Sequence, residues 1–175
     1  MRYLSDAELE GQAAHLFENY DEGWAGDMPL TDLLIAQTER KGCKLPADYV
    51  ALTCLCNGGL LVRNISRYLE TDRSGKEYAC ERLVRSISSI GWCNNPNALC
   101  GARGSRFGEA PANWNYPHID IYLAEEDGSH GLFALDCRCC GPSGEPTVVS
   151  MYHNGSVITR LADNFADFVR NLHKG

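Results

Sequence analysis

The sequence predicts an α+β fold with helices first, a mostly antiparallel or mixed sheet in the second half and a closing helix. Three observations predict it. Apolar residues recur at helical spacing over residues 6–20, between Pro29 and Gly42, and after Pro46. Short β-rich runs follow at Ile119–Leu123, Leu132–Leu135, Thr147–Val149 and Ser156–Leu161. Helical spacing then returns at Phe165, Phe168, Val169 and Leu172. Helices and strands segregated along the chain imply helices packed on a sheet.

The first helix is announced by Ser5 and Glu8, which have the spacing of a capping box. Leu9, Ala13, Leu16, Phe17 and Tyr20 form its apolar side over residues 6–20. Asp21–Pro29 is a polar connector with a single Trp24. The second helix starts near Pro29 and Thr31, places Leu30, Leu33, Leu34 and Gln37 on one side, and stops at Gly42. Pro46 opens the third, where its missing N–H is harmless, and Tyr49, Leu52 and Cys56 give it a buried face. Asn57-Gly58-Gly59 stops that helix, because these residues tolerate positive φ. Leu60–Val62 begins a first strand.

Residues 63–113 give weaker signals. Arg63–Lys76 is polar and reads as a loop. Glu77–Ile90 fits either a strand or a short helix, the latter through Leu83, Val84, Ile87 and Ile90. An Asn/Pro turn cluster and a Gly-rich loop, 101–111, follow. Ile119, Ile121 and Leu123 then alternate with Asp120 and Tyr122 as a strand does. Glu125–Glu126–Asp127–Gly128 reads as an acidic turn. Leu132–Leu135 and Thr147–Val149 are two strands around the Gly141–Gly144 turn, Asn154–Gly155 is a hairpin turn, and Asp163 is placed to cap the last helix.

A chain of 175 residues, 44% hydrophobic and 22% charged, is one ordinary globular domain with room for a core. Its formal charge of -7 disfavours nucleic acid as a general partner and favours a basic protein surface. No span reaches the roughly 18 apolar residues of a membrane helix, and MRYLSDAELEGQ is not a secretory signal. The expected location is therefore the cytoplasm, where the nine cysteines would be thiols.

Cys137, Cys139 and Cys140 read as C-x-C-C, not as a zinc knuckle, and His130, Cys93 or Cys100 could complete a site only if the fold gathered them. Cys54 and Cys56 do not share a helix face. His15, His118, His130, His153 and His173 form no metalloprotease motif. There is no nucleophile elbow and no phosphate loop, since Gly101–Ser105 lacks the Lys ending. Neither catalytic residues nor a cofactor or metal site is expected. Asp136 is expected to accept backbone hydrogen bonds from the turn after it, and Glu145 to pair with Arg138.

Three segments together resemble the SMI1/KNR4 family of the SUKH superfamily. Leu45-Pro46-Ala47-Asp48-Tyr49 through Asn57-Gly58-Gly59 is similar to its L-P-x-D-Y … N-G-G opening. Leu135-Asp136-Cys137 through Cys140-Gly141, Gly144-Glu145-Pro146 and Val148-Val149 resembles its L-D-Y-x-x-C-G-x-x-G-E-P-x-V-V stretch. Leu161–Phe165 through Phe168 and Leu172 resembles its closing helix. Ser86–Gly91, Trp114, Tyr116 and Ile119–Leu123 also fit, so the likeness runs from Leu30 to Leu172. Cys137 replaces the usual aromatic residue and Cys139 is an added thiol.

The resemblance implies one SMI1/KNR4-like domain over 1–175, with its core at about 30–173 and a helical extension at about 1–29. It implies a non-enzymatic bacterial immunity protein that occludes a cognate polymorphic or contact-dependent toxin, often a nuclease. It also allows a regulatory scaffold, as in fungal relatives. A cysteine-dependent enzyme or zinc protein is the third reading. The expected partner-binding residues are Arg103, Glu109, Trp114, Glu125, Glu126 and Asp127.

Overall fold

The computed structural model describes residues 2–18, 30–39, 44–71, 74–91, 99, 121–126, 131–141, 143–152 and 157–174. The expected α+β layout is present. The helices are α1 (Asp6–Leu16), α2 (Asp32–Glu39), α3 (Ala47–Leu55) and α4 (Phe165–Arg170). The strands are β1 (Gly59–Leu60), β2 (Ile65–Thr71), β3 (Glu77–Ile87), β4 (Ile121–Glu126), β5 (Leu132–Asp136), β6 (Thr147–Tyr152), β7 (Val157–Ala162) and β8 (Leu172–His173). They form one sheet in the order β7-β6-β5-β4-β3-β2-β8, with β1 alongside β3. Every pairing is antiparallel.

The two faces of the sheet are used differently. Ile121 and Leu123 of β4, Phe133 and Leu135 of β5 and Val148 of β6 join the main core, together with residues of α1, α2, α3 and α4. Tyr49 meets Phe165 edge-on at 5.2 Å, and Phe168 packs on Phe165 and Phe133 at 6.4 and 6.3 Å. Tyr122, Leu132, Ala134, Val149 and Met151 form a second buried cluster from strand residues alone. Both faces of β5 are thus buried, which is why its sequence is a continuous apolar run and not an alternation.

Helix α1 lies before the family-like stretch, yet Leu9, Ala13 and Leu16 are part of the main core. Its capping box is formed as expected: the Ser5 hydroxyl accepts the Glu8 N–H, and the Glu8 carboxylate accepts the Ser5 N–H at 2.9 Å. The helix stops at Leu16, short of the expected 20. Phe17 turns extended and bridges Leu61, while Val62 N–H bonds Leu16 O at 2.8 Å. A strand-like contact with the segment after α3 replaces the last helical turn.

Other boundaries move for identifiable reasons. In α2 Leu34 is buried but Leu33 is 54% exposed, so Leu33 is not on the core side. Residues 63–76 are not a loop throughout, because β2 runs through them. Its inward residues are Ser66 and Tyr68 while Leu69 is 64% exposed, so polarity and burial are out of phase and the strand is hidden from hydropathy. Between the two alternatives for 77–90 the structure selects a strand, since β3 pairs with β2 over its first half and with β1 and β4 over its second. The cap of α4 is Asn164, whose Oδ1 accepts the Asp167 N–H at 2.9 Å. Asp163 instead pairs with Arg160. Leu172 is buried, but it sits in β8 opposite Ser66 and not in the helix. Strands β6 and β7 pair as a hairpin, Tyr152 opposite Val157; Asn154–Gly155 lies outside the described residues.

Candidate functional site: a cleft beside the Asp136–Pro146 loop

The residues that carry the family-like opening are engaged inside the molecule. The buried Asp48 carboxylate accepts the Tyr3 N–H at 2.8 Å and the Leu4 N–H at 2.9 Å. The Tyr49 hydroxyl donates to Ser88 O at 2.6 Å. The Asn57 amide grips the Ile90 backbone both ways, donating to its carbonyl and accepting its N–H at 2.8 Å each. Gly58, at φ +80°, lets the chain pass close to β3: a Cβ there would stand 2.7 Å from Ser89 N and 2.9 Å from Ile87 O.

The second family-like stretch builds a loop between β5 and β6. Asp136 opens it by accepting the Arg138 N–H at 3.1 Å, as expected, and by holding the Arg138 guanidinium at 2.8 and 2.6 Å. Those guanidinium bonds, more than offsetting partial burial, keep the Asp136 carboxyl below the usual carboxylate range. The expected Glu145–Arg138 pair does not form, because the nearer Asp136 takes Arg138. Gly141 turns the loop at φ +69°. Gly144 closes it against the chain, since a Cβ there would meet the Cys140 carbonyl oxygen at 2.0 Å. Glu145 is half-buried, and its Oε1 is buried with no hydrogen-bond partner among the described residues. Burial pushes its carboxyl up, and the nearby Asp48 adds to that; the Phe165 N–H works the other way.

This loop forms one wall of a cleft of about 510 Å³ lined by Asp136, Cys139, Cys140, Glu145, Thr147, Val149, Ile158 and Arg160. Val149 and Arg160 face each other across β6 and β7, directly after the irregularity at Val148/Val149. Such a bulge locally twists and re-aims a strand. Ile158 is 37% and Val157 39% exposed at the sheet's β7 edge. The lining therefore combines an apolar strip, a cation, carboxylates and a hydroxyl, a mixture that suits protein side chains.

Of the expected contact residues, only Glu125 and Glu126 are among the described residues. Glu125 and Glu126 are not in a turn; they are the last residues of β4, with Glu125 opposite Leu132 and Ser86, and Glu126 opposite Val84. Arg103, Glu109, Trp114 and Asp127 lie outside the described residues, as do His118, His130, His153, Cys93 and Cys100. His15 is exposed in the last turn of α1 and His173 pairs with Ile65. Sequence reasoning missed Thr147, Ile158 and Arg160 because each is an ordinary strand residue. Thr147 follows the loop directly, whereas only the β7–β6 register brings Ile158 and Arg160 to it.

The cysteines also divide. Cys54, Cys56, Cys80, Cys139 and Cys140 keep thiols. Cys137 does not: it is disulfide-bonded, which corrects the expectation of thiols throughout. The C-x-C-C reading also expects no C-x-x-C pair and hence no thioredoxin-like redox centre; Cys137 and Cys140 stand at that spacing, which corrects the count of motifs. Among the described residues no cluster of three His, Cys, Asp or Glu side chains could hold a metal ion. No described helix is long and apolar enough to cross a membrane.

The fold and its loop define a helix-backed antiparallel α+β domain with a cleft at one sheet edge. The model of the SMI1/KNR4 family (SUKH-1) matches residues 29–171, and the chain belongs to that family. Membership supports a protein-interaction role. No curated protein and no solved structure matches the chain.

Proposed function

We propose that this protein is an immunity protein that binds a cognate toxin inside the producing cell and blocks it by occlusion, with no chemistry of its own. The observation that carries the reading is the division of labour in the family-like residues. Asp48, Tyr49, Asn57 and Gly58 serve internal bonds and close packing. The Asp136–Pro146 loop instead borders an open cleft with a mixed lining. The net charge of -7 suits a basic toxin surface such as that of a nuclease. In this reading the toxin inserts a side chain over Val149 and Ile158, with Thr147 and Arg160 supplying polar contacts at the rim.

The test is co-expression with a toxin encoded beside it, followed by co-purification and an inhibition assay. A stoichiometric complex with loss of toxin activity supports the reading. Protection without a complex overturns occlusion, and several stable host partners without any toxin would favour a regulatory scaffold.

A further inference from the structure

We propose that the bound toxin joins the sheet, adding an extended segment of its own as a strand beside Val157–Arg160 of β7. The inference rests on the proposed binding of a toxin and says which kind of segment is held and how. Strand β7 ends the sheet order and is paired by β6 alone. Strand β2 approaches β7 but pairs only with β3 and β8. A strand paired on one side turns every second backbone N–H and C=O away from its neighbour. Strand β7 therefore offers a row of donors and acceptors along its outer side.

The two ends of the sheet differ in how well they resist such pairing. Strand β8 is 2 residues long, and a short edge is a poor template. Strand β7 has 6 residues. Its start, Val157-Ile158-Thr159, is β-branched throughout, and no Pro, Gly or Lys blunts the stretch to Arg160. Val157, Ile158 and Arg160 are exposed and Thr159 is half-buried, whereas Leu161 and Ala162 are buried. Leu161 is also the extra residue where the β6–β7 register shifts, so the regular edge ends at Arg160.

The side chains along this edge specify the occupant. A strand beside β7 lies about 4.8 Å away, and side chains directly opposite each other share a face. Ile158 and Arg160 line the cleft together with Val149 and Thr147. Every second side chain of the added strand thus comes to lie over the cleft. The matching segment has an apolar residue beside Ile158 and, two residues away on the same face, a carboxylate beside Arg160. The existing Arg160–Asp163 pair leaves room for this. Both side chains are mostly exposed, so the pair is weak in water, and a guanidinium carries donors enough for two carboxylates. A second copy of this chain fits less well. Pairing Val157–Arg160 antiparallel with itself sets Val157 opposite Arg160 and Ile158 opposite Thr159, which supplies no carboxylate, and two chains of charge -7 repel.

Amide hydrogen exchange of the full-length protein, free and in its toxin complex, read residue by residue by NMR, tests the pairing. In the complex, alternate amides among Val157, Ile158, Thr159 and Arg160 are expected to exchange at least about tenfold more slowly, while their neighbours, already bonded to β6, change little. Ile158→Pro and Thr159→Pro add a second reading, because adjacent N–H groups on a strand point to opposite sides. One variant removes a bond to β6 and the other an outward donor. The outward one should keep the wild-type melting temperature and weaken the complex at least about tenfold. If neither variant folds, the exchange measurement decides. An inhibited complex in which no β7 amide is slowed overturns the added strand and leaves occlusion standing. Absence of any complex overturns both. Alternate protection already present in a dimer of the free protein assigns the edge to a second copy and overturns the proposal as well.

Discussion

Asp48 and Leu4 are 44 residues apart, yet the Asp48 carboxylate accepts the Leu4 N–H at 2.9 Å and the neighbouring Tyr3 N–H at 2.8 Å. Asp48 lies in the first turn of α3 and is fully buried. It anchors the segment leading into α1 to the family core, because the buried Leu4 donor needs an acceptor where water is scarce.

Asp48→Ala should therefore destabilise the protein by about 2–4 kcal/mol, the cost of removing a charged acceptor from two backbone donors. Asp48→Asn keeps one acceptor oxygen and should lose about half as much. Urea unfolding followed by far-UV circular dichroism measures both. Equal stability of Asp48→Ala and wild type would show that α1 is not held in this way.

Asn57→Ala should cost about 2 kcal/mol, since it leaves both the N–H and the carbonyl of Ile90 without the partner they have at 2.8 Å. Gly58→Ala should cost at least about as much. It combines positive φ with a Cβ 2.7 Å from backbone nitrogen, which cannot swing aside as a side chain can. The paired denaturation midpoints check this. A Gly58→Ala protein as stable as wild type would mean that the α3–β3 approach is looser than the structure shows.

These pins were largely legible as motifs and not as mechanisms. Leu45-Pro46-Ala47-Asp48-Tyr49 identified the stretch, but nothing in the letters says that Asp48 reaches back to Leu4. The capping box at Ser5 and the β5–β6 pair were legible because both depend on local spacing. Strand β2 was not, because Ser66 is buried and Leu69 exposed, the reverse of what polarity suggests. The cleft was half legible: Asp136 through Glu145 are contiguous, whereas Ile158 and Arg160 arrive through the β6–β7 register. The Asp136–Arg138 pair was missed because a longer-range Glu145–Arg138 pair looked equally open, and proximity in the turn decided it.

Acid should loosen the α1 end first. Hydrogen bonds from the Ser5 backbone and hydroxyl, then from Arg170, hold the Glu8 carboxyl down from 4.5 to about 2. A carboxyl depressed in the folded state stabilises fully above its unfolded pKa and loses that contribution as pH falls toward the folded value. Wild type should thus lose stability between about pH 4.5 and 2 through this group. Glu8→Gln should flatten that segment of the stability profile, measured by thermal melts across pH. An unchanged slope in Glu8→Gln would remove Glu8 from the account.

Glu145 should act with the opposite sign. Burial raises its carboxyl, so the protonated form favours folding and its contribution is lost as pH rises above 4.5 through the raised folded value. Glu145→Gln, neutral at every pH and similar in shape, should be more stable than wild type at pH 7 and nearly equal to it at pH 4. Melts at the two pH values make the comparison. A variant destabilised at pH 7 would show that the charged carboxylate has a partner that matters for folding.

The cleft itself can be separated from stability by substitutions at its outer strand. Ile158 is 37% exposed, and the side chain of Arg160 is 61% exposed in an ion pair with Asp163. Exposed sites of this kind contribute little to folding, so Ile158→Asp and Arg160→Glu should each change stability by less than about 1 kcal/mol. If the toxin docks here, each should weaken the complex at least about tenfold, roughly 1.4 kcal/mol, because a charge would enter the apolar strip or a rim contact would reverse sign. Leu69→Asp, on the exposed side of β2 at 64% exposure, is the control and should leave binding unchanged. Isothermal titration of the purified toxin into each variant reads all three. Wild-type affinity in both cleft variants, with their fold intact, would move the binding surface away from β6 and β7.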